Sequence, residues 1–370
     1  MEITPTRKQL QNALAVYVKP DTAQGIQLFV VDLITYILAI TLVLASSLWY
    51  LQLIGGILAG IKMANLTTLA HDASHNSLTR SKLLNKVIAI VSFAPGLFNY
   101  ALWLYDHHVL HHHITNEEHP DSYVPLSKQE YDSLTGWNKF KYRMYRVPTI
   151  WLFGIYYIVE RWSQVKLFPR SYMPERVRRG AWRHFVFLLI YITSYLSLLM
   201  MAPLYSQTST VAALVYGFVV PFYVYQSLYA FTVFVQHNNV RVPWFKGKRP
   251  RDGDGQQAYI SVQLVFPAWF SWLVHHVYDH AAHHVHPAIP LYELPAAQRK
   301  LNEMLGARAV TSKFSFRWLY STMRRCKLYD YDNHRWTDFS GLPTTRTTLG
   351  SVNGGQYDHE IRIERRQQFG

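Results

Sequence analysis

The chain has 370 residues, 49% of them apolar and only 16% charged, which excludes a disordered or heavily solvated protein. A mean hydropathy near zero excludes a bundle made only of spans and fits a few spans with a large water-facing part. One cysteine, Cys326, excludes an intrachain disulfide and a thiolate cluster, and a net charge of +14 in so apolar a chain points to an anionic leaflet, not nucleic acid.

Residues 1–25 contain no sustained apolar stretch before a small-residue cleavage site, so they read as a cytosolic segment without a secretory signal. From Ile26 to Leu53 there is one charge, Asp32, and the length exceeds the roughly 20 residues that cross a bilayer. Ile54 to Ala70 follows with one lysine. Spans are expected at 26–47 and 50–70, forming a hairpin with Trp49 and Tyr50 in the interfacial belt. A second hairpin is expected at 185–205 and 211–235, both without charges, with Pro221 kinking the last helix. Leu83 to Tyr105, Pro148 to Val159 and Phe266 to Val274 are apolar but short or broken, and read as interfacial or half-inserted helices. Residues 311–370 read as a polar cytosolic tail, loose from Gly341 onward. The expected fold is therefore an all-α integral membrane protein, with a membrane domain at 26–310 capped by a cytosolic helical part.

Charge orients the hairpins. The tight turns at 46–56 and 202–210 contain no Lys or Arg. The opposite connections carry Arg80, Lys82 and Lys86, then the dense block from Arg161 to His184, then Arg241 to Arg251. The positive-inside rule places both termini and every histidine cluster in the cytosol. The dense block reads as a solvated face against lipid headgroups.

Thirteen of the 18 histidines fall in three stretches. His71 and His75 are spaced i, i+4 after the second span. His107, His108, His111, His112 and His113 form "HHVLHHH". "HHVYDHAAHH" carries His275, His276, His280, His283 and His284, and the stretch continues to His286. His108, His111 and His112 form H-x-x-H-H, as do His280, His283 and His284, and on an α-helix such positions share one face. A lone imidazole is usually a polar surface group, so His184, His334 and His359 are read that way. Three clusters on one side of a membrane need a metal or counter-charge to offset desolvation. Without cysteine the site is all nitrogen, which suits iron, zinc, copper or nickel. One zinc takes at most four ligands. Eight or nine imidazoles serve two metals with positions left open for dioxygen.

These boxes, H-x-x-x-H, H-x-x-H-H and H-x-x-H-H in order, resemble the integral-membrane fatty acid desaturase family. The context agrees: "NSLTRSKLLN" after the first box, "ITNEEHPDSYVPLSKQEYDSL" after the second and "VHPAIPLYELP" after the third are closest to the Δ12/ω (oleate-type) subgroup. The resemblance covers about Ala64 to Leu294. It implies two iron ions, dioxygen as co-substrate, and removal of two hydrogens from an acyl chain. An unactivated methylene has no acidic proton, so the cofactor must carry that chemistry.

The resemblance assigns as ligands His71 and His75, then His108, His111 and His112, then His280, His283 and His284. Registers that use His107 or His113 stay open within the second box, although Thr115–Asn116 favours the first. Relatives use a further histidine after the fourth span, where His237 stands; a helix-end polar group is the other reading. The roles of His275 and His276 stay open. Asp72, Asp106 and Asp279 each abut a box, as acceptors for ring N–H groups or as polar surface. "FVVPFYVYQSLYAF" reads as helix packing or as lining of an acyl tunnel.

The family's acyl-CoA members place Asn where this chain has Val233, which weakens that substrate against an acyl-lipid or an acyl-carrier protein. No H-P-G-G segment, cysteine set or G-x-G-x-x-G loop is present, so a separate ferredoxin- or cytochrome-type donor is implied, with the basic block as its docking face. Hydroxylation or triple-bond formation on the same scaffold is not separable by sequence. A metal transporter would carry polar groups within its spans, and a zinc hydrolase would carry H-E-x-x-H where Asp72 and Ser74 stand.

Overall fold

The computed structural model describes residues 5–117, 121–149, 151–247 and 260–348. It is an all-α membrane protein with only short strands among the described residues. Among the described residues four helices are long and apolar enough to cross a bilayer: Thr22–Ala45, Trp49–Ser74, Glu175–Met200 and Thr210–His237, spans one to four below.

Span one starts where the Asp21 carboxylate accepts from the Gln24 N–H, a side-chain cap for an otherwise open backbone donor. The two tight turns are sewn together. Gln52 Nε2 donates to Ser46 O at 2.7 Å and the Thr208 hydroxyl donates to Leu44 O at 2.8 Å, which satisfies carbonyls left open at a helix end. Spans two and four approach closely at glycines. A Cβ on Gly56 would lie 2.6 Å from Tyr216 O, and one on Gly60 2.7 Å from Pro221 O. Ahead of Pro221, span four widens into a π segment at Val215–Val219, where the ring's missing N–H and bulk are accommodated.

Span three begins at Glu175, not at 185. Its first turns carry Arg176, Arg178, Arg179 and Arg183, whose charges hide the helix from hydropathy while their long stems keep the guanidinium groups in water. The broken apolar stretches are helical in pieces: Lys82–Phe93, Tyr100–Leu104, Trp151–Tyr156 continuing as a π helix at Tyr157–Lys166, and Ala268–Leu273.

Residues 311–348 are folded, contrary to their reading as a tail. Thr311–Lys313 pairs in parallel with Gln263–Val265, and Leu328–Asp330 pairs with Arg335–Thr337. Trp336, Tyr329 and Cys326 bury themselves with Trp244. Strands of three residues are too short for a periodicity signal, so polar composition dominated that reading. His334, read as surface, donates from Nδ1 to Trp244 O at 3.0 Å. His359 lies outside the described residues, as do 248–251 of the basic stretch and the tail beyond Thr348.

Candidate metal centre

Span two ends in the first box, with His75 as its last helical neighbour and Asn76 turning the chain away at φ +59°. The second box starts from an Asn99 cap, whose side chain accepts from Ala101 N–H and Leu102 N–H. Its winding then changes: Tyr105–His111 is a π helix, followed by a short α turn at His112–Ile114. In a π helix residues i and i+5, not i+4, meet across a turn. His107 Nε2 therefore faces His112 Nε2 at 3.1 Å, and His113 Nδ1 donates to His108 O at 2.7 Å. The third box lies on His280–Val285 with α spacing, and His280 Nε2 faces His284 Nε2 at 2.9 Å.

Two groups of nitrogens result, each lying within 4.8 Å of one another: His71, His75, His107, His112 and His283, and separately His111, His237, His280 and His284. His283 Nε2 is 3.1 Å from His112 Nε2, and His237 Nε2 is 3.2 Å from His280 Nε2. Eight of the nine expected ligand residues are thus brought together with His107, which the assigned register passed over. His108 lies outside both groups, with its ring stacked on His75 at 4.1 Å and its Nε2 3.4 Å from Ser74 Oγ.

Neighbouring acceptors fix several tautomers. Asp121 Oδ2 accepts from His111 Nδ1 at 2.9 Å, Asp72 Oδ1 from His71 Nδ1 at 2.9 Å, and Ile260 O from His237 Nδ1 at 3.2 Å. Each bond leaves a bare lone pair at Nε2 pointing back among other imidazoles. Burial first, and neighbouring imidazoles second, hold His75, His107, His112, His280, His283 and His284 well below the ordinary histidine pKa. His108 is lowered to about 4 for the same reasons. Neutral imidazoles pressed nitrogen to nitrogen, with His75 Nε2 buried and lacking any hydrogen-bond partner, are expensive unless a cation takes up the lone pairs. The donor set therefore fits two metal ions held by nitrogen alone.

Of the three flanking carboxylates, Asp72 accepts a ring N–H and its Oδ2 also takes the Leu291 N–H. Asp106 is instead paired with Lys166, with Arg161 at 3.6 Å. Asp279 accepts from Gln263 Nε2 at 2.8 Å, and burial raises its pKa. Two cations of the block read as a solvated face, Arg161 and Lys166, are thus buried among these carboxylates. Asp121 carried no assigned role, although the acidic Pro-Asp run after the second box was the signal that contained it.

A cavity of about 230 Å³ opens beside both groups. His71, His107 and His283 reach it from one group and His111, His237 and His280 from the other. Trp103, Leu228, Tyr229, Phe270 and Leu273 give it an apolar wall. Six of its lining residues, Leu228, Tyr229, Thr232, Val233, Gln236 and His237, come from span four, and the first two belong to the stripe read as packing or tunnel lining.

Residues 47–315 match the model of the fatty acid desaturase family. The chain belongs to that family. A spinach protein named omega-6 fatty acid desaturase, chloroplastic, is 24% identical over 308 residues, covering 82% of this chain and 65% of its own length. An sn-1 oleoyl-lipid 12-desaturase of Synechocystis sp. is 26% identical over 299 residues, 80% of each chain. An sn-1 acyl-lipid omega-3 desaturase (ferredoxin) of the same organism is 25% identical over 310 residues, 82% of each. This desaturase-family chain thus spans about two thirds of the spinach relative and four fifths of the cyanobacterial ones.

Proposed function

We propose that the chain is a multi-pass membrane desaturase that forms a C=C bond in an acyl chain, of the Δ12 type carried by its relatives' names. In this reading His71, His75, His107, His112 and His283 hold one iron, and His111, His237, His280 and His284 hold the other. Two irons bound there would supply the activation of dioxygen that breaking an unactivated C–H bond demands. Dioxygen, two electrons and two protons balance the two hydrogens removed, giving a double bond and two waters.

The protein's own residues do the positioning. Asp72, Asp121 and Ile260 O orient the imidazoles and keep their lone pairs directed inward. The apolar wall from Trp103 to Leu273 holds a hydrocarbon chain beside both groups and excludes water. An acyl-lipid is the favoured substrate. By the positive-inside rule the histidine end is cytosolic, and the exposed Arg176, Arg179 and Arg183 form a face for an acidic, ferredoxin-type donor.

The observation that carries this reading is two converging sets of imidazoles, most of them buried and held well below the ordinary histidine pKa, opening onto one apolar cavity. The test is metal content together with lipid products. Purified protein should hold two irons per chain, and cells expressing it should gain a new double bond, located by derivatising their fatty acid methyl esters. An oxygenated or acetylenic product would keep the site and change the reaction. Stoichiometric zinc with unchanged lipids, where iron is supplied and retained, would overturn the proposal.

A further inference from the structure

Three ionisable groups inside the helical bundle take no part in the histidine groups. They are Asp32 of span one, Lys62 of span two and His275, which precedes the third box. Asp32 is 1% exposed. Its Oδ1 accepts from Lys62 Nζ at 2.7 Å and its Oδ2 from His275 Nε2 at 2.5 Å. A carboxylate can only accept, so the Nε2 proton belongs to this bond and His275 is not offering that nitrogen elsewhere. Ionised groups at this depth in an apolar helix are costly, and well-packed aliphatic side chains would stabilise the helices at least as well. Helix packing alone therefore does not account for the cluster.

What it grips is informative. His275 and His276 occupy consecutive left-handed conformations, φ +53° and +56°, which L-residues adopt rarely and at a cost. The turn is held from both sides: His276 N–H donates to Ser271 O at 2.7 Å, and Asn65 Nδ2 of span two donates to Leu273 O at 2.8 Å. Phe270, Leu273, Val274, His275, Val277 and Tyr278 form one side of the cavity, and His280 follows directly. The opposite face of Ala268–Leu273 turns outward through Trp269 and Trp272, 68% and 71% exposed. This wall is thin, faces outward on its far side, and is fixed to spans one and two by side chains.

We propose that His275, gripped by Asp32, which Lys62 holds in turn, is a positioning residue. It sets where the 270–278 wall stands, and so which carbons of the acyl chain lie beside the histidine groups. The proposal rests on the desaturase reading of the cavity. A clamp on the wall acts on chain register and leaves the metal ligands alone, so its signature is a shift in double-bond position at unchanged iron content.

The experiment compares His275→Ala with His275→Gln, whose amide can still donate to Asp32, and uses Asp32→Leu, of similar size but with no acceptor, as a second break should the alanine variant fold poorly. Amide hydrogen exchange across 266–279, read on the resting protein without turnover, is expected to rise at least tenfold in His275→Ala and Asp32→Leu and to return towards wild type in His275→Gln. Iron per chain should stay at the wild-type value. The product should change from a single double-bond position to a shifted or mixed set, with His275→Gln restoring the single position. Unchanged exchange overturns the proposal, as does faster exchange with the product position unmoved, or iron loss in step with the exchange. If the wild-type protein makes no new double bond, the desaturase reading fails instead, and the exchange comparison still upholds or overturns the clamp.

Discussion

His107 and His112 meet because the chain between them winds as a π helix. An H-x-x-H-H box read on an α-helix selects His108, and the boxes at His71 and His280 do follow α geometry, so the residue types and spacing were legible while the register of the second box was not. Nothing in residue propensity marks a π turn such as the one at Tyr105–His111. The consequence is testable in one pair of variants. His107→Ala should lose about one iron of two, since it removes a nitrogen that faces His112 directly, whereas His108→Ala should retain both; metal content per chain reads the difference. Asp121 is the companion case. It lies ten residues beyond its partner His111, a distance at which sequence alone does not reveal contact. Asp121→Asn, which weakens the acceptor that orients His111, should lower iron affinity by roughly 10–100-fold in a chelator competition.

At the scale of elements, hydropathy found the two hairpins and missed what charge or shortness conceals. Span three was cut at its arginine-rich start, and the strands beyond 311 left no pattern. Yet those strands serve the site. Arg146, 3% exposed, donates to Cys326 O at 3.0 Å and to Tyr123 O at 2.7 Å, tying the C-terminal strands to the loop that follows Asp121. Lys327 is bonded to Arg146 O beside it. Burial, then the Arg146 charge, lowers its pKa from 10.5 to about 8. Below pH 8 the ammonium is charged in both folded and unfolded chains. Between pH 8 and 10.5 the folded chain has shed this proton and the unfolded chain keeps it, so the unfolded state binds more protons and stability rises with pH. Thermal unfolding in detergent across that window should show an upward slope that Lys327→Met flattens. An identical slope in the variant would place the titration elsewhere.

Across the whole molecule the two ends are held by different chemistry. At the end carrying the tight turns, Gln52 and Thr208 donate to backbone carbonyls, bonds complete within the protein. At the other, nine imidazoles from spans two and four and from the second and third boxes converge without enough protons to satisfy one another. In the proposed reading metal binding there would be coupled to the fold, because a bound ion stabilises only the state that presents its ligands together. Removing the metal from the purified protein should therefore loosen one end selectively. After chelation, amide exchange is expected to rise by at least tenfold at 71–75, 105–114 and 280–285, while residues 43–52 and 206–210 keep their protection; ligand linkage of about 2.7 kcal/mol at a hundredfold excess over Kd corresponds to about a hundredfold change and leaves room for that rise. Restoring iron should restore protection at all three boxes together, since each group draws nitrogens from more than one box. Recovery of one box alone would mean that the groups are independent of the helices that carry them, and the convergence of the imidazoles would then be a property of packing and not of the metal.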